Sequence, residues 1–246
     1  MHEGIQSFTA TGAAPTSHER RVLTLDSLSG QGRTRALEAF ERLSPADSLE
    51  IVAKQRPGQF VTELRARYGT RFYWWPLERG PLVWRAILAK PALDAPATVA
   101  AVMAADHLRL CGLWGQLGRA AELCQIDRVR RCSAELSLGL RRYIDIEEGV
   151  LFPLLEAQTQ MSAASATIPM RAEHGRIEGI LEKLQKLRTT TDCTAILETL
   201  DRPVEPRTLF QRHCRKEEAA LYPLLDMVFD PAEERELISL LQEFEI

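Results

Sequence analysis

The chain has 246 residues, of which 45% are hydrophobic and 26% charged, and its formal net charge is −3. This balance is typical of an ordinary globular protein, and the length predicts one or two domains. The weak negative charge gives no bulk attraction to nucleic acid or anionic lipid, so we expect no nucleic-acid partner and no membrane partner. No stretch approaches the ~20 uninterrupted apolar residues of a membrane helix.

The cysteines bear on the compartment in which the protein works. There are five of them, an odd number, and no two stand in a C-x-x-C pair of the kind that binds metals. The sequence also shows no signal peptide, since the N-terminal segment lacks both a basic and an apolar region. We therefore expect reduced thiols in a cytoplasmic protein.

Residues 1–20 are rich in glycine, alanine, serine and threonine, which predicts a mobile tail. Residues 21–90 then predict a small α+β domain, because short alternating segments are interleaved with segments of helical periodicity. The order is β-α-β-α-β-β, with strands near 22–26, 48–53, 72–75 and 82–88 and helices near 33–43 and 60–68.

A stiff linker is predicted at residues 91–96, where two prolines stand within six residues. Residues 97–246 show only helical periodicity, which predicts an up-down bundle of four long helices with a short fifth helix. The long helices are expected near 97–125, 127–158, 169–188 and 206–229. The short helix is expected from Pro231, with Asp230 as its N-cap and Glu233 completing a capping box.

The bundle region contains an internal repeat. Residues 147–155 and 217–225 both read E-E-x-x-L-(F/Y)-P-L-L, on the predicted second and fourth helices. Pro153 and Pro223 lie inside these helices, where a proline removes one hydrogen bond and crowds the carbonyl four residues earlier. The residues at those earlier positions are small, so we expect tolerable kinks.

Histidines and glutamates place a candidate metal ligand on each of the four long helices. His107 and His174 lie on the first and third helices, and His213 stands four residues before Glu217, on the same face of the fourth. Glu147 is the counterpart of Glu217 in the repeat. Imidazole nitrogens and carboxylate oxygens together suit iron and similar first-row metals, and a bundle core can hold a carboxylate-bridged pair of such ions.

These motifs resemble the hemerythrin-like (HHE cation-binding) domain over residues 96–246. The resemblance implies that His107, His174 and His213 are ligands of non-haem iron. It also implies that Glu147 and Glu217 are ligands that can bridge two irons. The implied cofactor is therefore a di-iron centre, and its ligand a small diatomic molecule or a peroxide.

Two positions depart from the family pattern. Tyr143 stands where the family usually has histidine, and it is either a phenolate ligand of iron(III) or a packed aromatic ring. Met170 stands where oxygen carriers of this family have a further histidine. Three histidines fit a carboxylate-rich, more reactive or degraded centre better than they fit reversible oxygen carriage.

Three further residues near these motifs have two interpretations each, and a fourth has one. Glu148 and Glu218 either accept hydrogen bonds from ligand histidines or belong to a solvated acidic face. Cys111, one turn after His107, is either a small core residue or a thiol that reaches the site. Cys214 directly follows His213, so we expect its side chain to face away from the centre.

The first domain resembles a domain of unknown function that is related to the TusA sulfur carriers and is often fused to hemerythrin-like domains. The resemblance rests on Leu25–Leu28, Glu63–Gly69 and Gly80–Arg85. The sulfur carriers use a Cys-Pro element after their first strand, but here that stretch is 27–32 and holds no cysteine. Persulfide transfer is therefore not expected, and interaction with a protein partner or a regulatory role remains.

Together these features predict a non-haem iron protein that binds, senses or reduces a small oxidant such as oxygen, peroxide or nitric oxide. Two alternatives stay open. The chain could be an adaptor whose redox or ligand state alters the contacts of the first domain, or a bundle that has lost its metal.

Overall fold

The computed structural model describes residues 20–45, 47–69, 71–91, 98–159, 162–201 and 206–243. The predicted mobile tail, apart from Arg20, lies outside the described residues. The predicted linker at 91–96, apart from Pro91, also lies outside them.

The N-terminal region forms a small sheet with two helices, as the sequence predicts. Its strand order is β1-β2-β4-β3, with β1 and β2 parallel and the other neighbours antiparallel. The first helix provides the crossover that a parallel pair requires, and a tight turn joins the antiparallel pair β3 and β4. The elements are β1 (Arg20–Leu25), α1 (Gly30–Glu41), β2 (Ser48–Ala53), α2 (Gly58–Tyr68), β3 (Tyr73–Arg79) and β4 (Trp84–Ala89).

The two faces of the sheet pack against different partners, because neighbouring strand residues point to opposite faces. Trp74 and Leu88 belong to the core that the sheet forms with α1 and α2. Trp75 and Ile87 face the other way and pack with Ala105 of the first bundle helix. The sheet is thus buried on both faces, and the bundle covers one of them.

A network of buried charges also joins the sheet to the bundle. Arg85 on β4 lies 2.6 Å from Glu50 on β2 and 3.2 Å from Glu135 on the second bundle helix. Arg20 lies 3.4 Å and 3.5 Å from the same two carboxylates. Burial lowers the pKa of Arg85, but the hydrogen bonds that it donates to the carboxylates of Glu50 and Glu135, and the charges of these two groups, raise the pKa more, so Arg85 stays charged.

The C-terminal region is a helical bundle, as predicted. Two differences concern single helices: the third long helix begins at Ser162 rather than near residue 169 and carries Pro169 inside it, and a short helix at Cys193–Asp201 was not predicted. The predicted capping box at Asp230 and Glu233 is confirmed. The helices are α3 (Val99–Glu122), α4 (Ile126–Ile146), α5 (Phe152–Thr159), α6 (Ser162–Leu187), α7 (Cys193–Asp201), α8 (Pro206–Lys216), α9 (Tyr222–Val228) and α10 (Pro231–Glu243).

The repeated motif forms a π-helical turn in both copies. The turns are Glu147–Leu151, between α4 and α5, and Glu217–Leu221, between α8 and α9. In each turn the amide of the residue before the proline donates to the carbonyl five residues earlier. The wider turn gives room at the proline, and such π-bulges are frequent at functional sites. The kinks expected at Pro153 and Pro223 are therefore widened turns.

The structure corrects the prediction that all thiols are reduced. Cys124, just after α3, forms a disulfide with Cys193 at the start of α7, with their Cα atoms 5.6 Å apart. This pair could not be predicted from the sequence, because the pattern does not predict α7.

The described residues include no helix that is both long enough and apolar enough to cross a membrane.

Candidate metal centre

Six predicted site residues come together in the interior of the bundle. The two π-helical turns contribute the two glutamates, and four helices contribute three histidines and a tyrosine. All six side chains are buried, at most 2% exposed. They are His107 on α3, Tyr143 on α4, Glu147, His174 on α6, His213 on α8 and Glu217.

One half of the centre is built from two imidazoles and one oxygen of each glutamate. His174 Nε2 lies 3.1 Å from Glu147 Oε2, and His213 Nε2 lies 2.7 Å from Glu217 Oε1. One ligand atom from each of these four residues lies within 4.8 Å of the others, so together they could hold a metal ion.

The other half uses the second oxygen of each glutamate. Tyr143 Oη lies 2.8 Å from Glu147 Oε1, 2.9 Å from Glu217 Oε2 and 2.6 Å from His107 Nε2. His107 Nε2 lies 2.9 Å from the same Glu217 oxygen. Each carboxylate therefore divides its two oxygens between the two halves, which is the arrangement a carboxylate bridge requires.

Tyr222 is a residue of this second half that the sequence reasoning did not single out. Its hydroxyl oxygen lies 3.0 Å from His107 Nε2 and 3.2 Å from Tyr143 Oη. Its ring stacks on that of His107, as the ring of Phe152 stacks on His174 in the first half. The signal was present, because Phe152 and Tyr222 occupy the same position of the repeat.

Two buried atoms test whether these residues fit a metal. His213 Nε2 and Glu217 Oε1 are both inaccessible and have no partner with hydrogen-bond geometry, although they lie only 2.7 Å apart. A buried polar atom without a partner costs about 1–3 kcal/mol. A cation bound by both atoms would satisfy them, so the residues fit the metal that a histidine–carboxylate centre implies.

Each histidine also contacts a further carboxylate through its other ring nitrogen, Nδ1. His174 Nδ1 lies 2.7 Å from Glu148, His107 Nδ1 lies 3.3 Å from Glu218, and His213 Nδ1 lies 3.1 Å from Glu173. Such partners fix the ring orientation and leave Nε2 free to bind a metal. Of the two interpretations of Glu148 and Glu218, the structure favours hydrogen bonding to histidines.

The third of these carboxylates, Glu173, was missed in the sequence. It is also paired with Lys216. The only signal for it was its place directly before His174. Which histidine it supports depends on how α6 packs against α8, and the sequence does not specify that packing.

The two central glutamates have opposite electrostatic environments. Burial and the neighbouring Glu217 raise the pKa of Glu147 well above its ordinary value. Burial would also raise the pKa of Glu217, but His107 and His213 hold it far below the usual range. Without a cation, the centre therefore accommodates one carboxylate as the anion and disfavours the charge on the other.

The phenol and the imidazoles respond to the same charges. Burial, Glu147 and Glu217 raise the pKa of Tyr143 well above its ordinary value, so a phenolate here needs a nearby cation. Burial lowers the pKa of His174, which favours the neutral, ligating form. Burial also lowers the pKa of His213, but Glu217 and Glu173 raise it more, so it ends above its ordinary value.

Two thiols lie beside the tyrosine-containing half. Cys214 Sγ is within 4.8 Å of ligand atoms of His107 and Glu217, so the prediction that it faces away is wrong. The Cys111 thiol hydrogen-bonds to it, and this bond lowers the pKa of Cys111 to about 7.

The comparisons with known proteins agree with this architecture. Residues 98–225, more than half of the chain, match the family model described as the hemerythrin HHE cation-binding domain. No curated protein and no solved structure matches the chain. The matched region contains α3 to α8, the first part of α9 and every side chain of the centre described above. The chain therefore belongs to the hemerythrin HHE cation-binding domain family.

Proposed function

We propose that the chain holds two iron ions between the bundle helices and uses them to bind, sense or reduce a small oxidant such as oxygen, peroxide or nitric oxide. The observation that carries this proposal is the division of the Glu147 and Glu217 oxygens between two groups of ligand atoms. One group would hold the first ion with His174 and His213. The other would hold the second ion with His107 and Tyr143.

The donor set supports iron more than other metals. Imidazole, carboxylate and phenol oxygen are the ligands that suit this ion in its +2 and +3 states. Bound iron would supply Lewis acidity and electrons to the oxidant. A bound cation would also relieve the two carboxylates that now face each other and favour the phenolate of Tyr143.

The protein side chains have separate tasks in this proposal. Glu147 and Glu217 would set the spacing of the ions, and the carboxylates behind the histidines would keep the rings in place. Tyr222 would hold a proton at its Oη, because burial and the two glutamates raise its pKa. The hydroxyl oxygen of Tyr222 lies 3.2 Å from Tyr143 Oη and 3.0 Å from His107 Nε2, so its proton would be available to an oxidant bound in the second half.

The centre is close to the protein surface beside Glu148 and Glu218. The side chains of Glu148 and Glu218, which touch the outer nitrogens of His174 and His107, are 41% and 51% exposed. We expect a small molecule to approach the centre from this side.

Elemental analysis and a visible spectrum of one purified sample test the proposal. We expect two irons per chain and a phenolate-to-iron(III) absorption band that disappears in Tyr143→Phe. Tyr222→Phe is the matched control, since it removes a hydroxyl from the same half and should keep the band. Two irons without a band would show that Tyr143 is not a ligand. Manganese or zinc in place of iron, or no metal after expression in iron-rich medium, would contradict the proposal.

A second candidate function is that of an adaptor whose centre influences the sheet. The observation that favours it is the path along α4, which carries Glu135, in contact with Arg85 and Arg20, and two turns later Tyr143. The N-terminal region, for which we propose a TusA-like fold and a protein partner, would then report the state of the centre. We expect amide hydrogen exchange of β2 and β4 to differ between oxidised and reduced protein, and equal exchange would contradict this role.

A further inference from the structure

Two cysteines form a pair of facing thiols at the edge of the centre. Cys111 on α3 and Cys214 on α8 lie beside each other where these two helices are in contact. Cys214 is buried, and its sulfur lies within 4.8 Å of ligand atoms of His107 and Glu217. Cys111 is only partly buried. The pair therefore extends from the tyrosine-containing half of the centre towards the surface.

The placement of these thiols follows from the ligands next to them. Cys111 is one helical turn after His107, so its side chain leaves α3 on the face that carries the ligand. Cys214 follows His213 and is directed to the contact between α8 and α3. Packing of the two helices, which is what brings His107 and His213 into one centre, thereby also brings the two sulfur atoms together.

We propose that Cys111 and Cys214 are a redox pair that supplies two electrons for the reduction of a hydroperoxide at the centre. This inference rests on the proposed function and narrows its substrate class to peroxides. The two S–H bonds and the O–O bond break, and one S–S bond forms. Both protons pass to oxygen, so that hydrogen peroxide yields two molecules of water while the two sulfur atoms are oxidised together by two electrons.

Peroxide is the oxidant that matches this pair. A dithiol delivers two electrons and two protons in forming a disulfide, and the reduction of a peroxide consumes the same numbers. The partly buried Cys111 gives an external dithiol access to one sulfur of the resulting disulfide, and exchange through that sulfur would restore both thiols. Cys214 is the sulfur next to the centre.

Mass spectrometry of the full chain tests the proposal without relying on turnover. Iron-loaded and metal-free samples receive one equivalent of hydrogen peroxide, and free thiols are then blocked and the peptides mapped. We expect a Cys111–Cys214 cross-link that forms at least ~10-fold faster in the iron-loaded sample, because a metal ion polarises a bound oxygen ligand. Cys111→Ser should abolish the cross-link while the iron content stays unchanged.

Cys132→Ser is the matched control, because Cys132 is also a free, buried cysteine but lies on α4 beside Glu135, next to the sheet. It should leave the cross-link unchanged. Peroxide consumption by the iron-loaded protein without this cross-link would overturn the inference and leave the proposed function standing. Equal rates in the two samples would also overturn it, since the thiols would then react without the centre. A sample that binds no iron would instead refute the proposed function.

Discussion

Replacing Glu147 with glutamine should stabilise the metal-free protein and lower its affinity for the metal. In the metal-free fold this carboxyl group is fully buried beside Glu217, and its pKa is raised well above 4.5. A carboxyl group with a raised pKa in the folded state takes up a proton on folding. The free energy of unfolding therefore falls as pH rises from the unfolded pKa towards the folded one. An amide does not titrate, so Glu147→Gln removes this loss.

The magnitude follows from the slope of this linkage, which is about 1.4 kcal/mol per pH unit for one proton. Between pH 5 and pH 7, the free energy of unfolding of metal-free Glu147→Gln should rise relative to the wild type, by up to about 2–3 kcal/mol, which is the limit for one proton. With iron bound, most or all of this gain should be lost. A ~10–100-fold loss of metal affinity removes about 1.4–2.7 kcal/mol of the stabilisation that the metal supplies when it is in excess.

Urea unfolding followed by circular dichroism measures both effects, on chelator-treated protein at pH 5 and pH 7 and on iron-loaded protein at pH 7. Glu148→Gln is the matched control, because Glu148 is the adjacent residue but is partly exposed and touches only the outer nitrogen of His174. It should show no comparable change with pH. A difference between Glu147→Gln and the wild type that stays constant with pH would refute the reasoning, as would a metal-free variant that is less stable than the wild type at pH 7.

Two further predictions concern the scaffold. Arg85→Met should lower the free energy of unfolding by about 2–3 kcal/mol, somewhat less than for a fully buried pair, because two buried carboxylates lose their nearest cation. Urea unfolding measures this loss, with the exposed Arg42→Met as the control, which should cost under ~1 kcal/mol. Equal losses in the two variants would contradict the prediction. Replacing Cys124 and Cys193 together with serine should cost about 2–4 kcal/mol, because the disulfide closes a loop with a sequence separation of 69 residues. A loss below ~1 kcal/mol in the same measurement would show that the closed loop adds little.

The order of elements could be predicted because the periodicity changes clearly along the chain. Alternating residues such as those of β2 and the helical spacing of α3 identify strands and helices directly. The start of α6 was misplaced because Pro169 looked like a helix start, yet the chain accommodates it within the helix. The short α7 lies between long helices, and the disulfide that ties it to α3 depends on a contact between residues far apart in sequence.

The six predicted ligand positions could be found because the repeat and the histidines are local patterns. What the sequence could not specify is which partner each side chain meets. Cys214 was expected to face away because it follows His213, but a residue next to a ligand can still reach the centre when a third helix packs against it. Met170 differs in the other direction. It stands where the resemblance to oxygen carriers would place a histidine ligand, but its side chain is part of the hydrophobic core of the bundle.

The internal repeat explains why the two halves of the centre resemble each other and where they differ. In each copy the first glutamate divides its two oxygens between the halves, and the second contacts a histidine from another helix: Glu148 contacts His174, and Glu218 contacts His107. Two of the differences between the copies concern ring side chains that face the centre. Tyrosine replaces histidine at 143, and Tyr222 replaces the phenylalanine of the first copy.

Both of these differences add a hydroxyl group to the same half. That half has one imidazole and two phenols, whereas the other has two imidazoles. Two ions held in this way would be inequivalent, with the harder, oxygen-rich site beside Tyr222 as a proton donor and beside the thiols. The departure from the family pattern therefore concentrates proton and electron donors on one side, which suits reduction of an oxidant better than its reversible carriage.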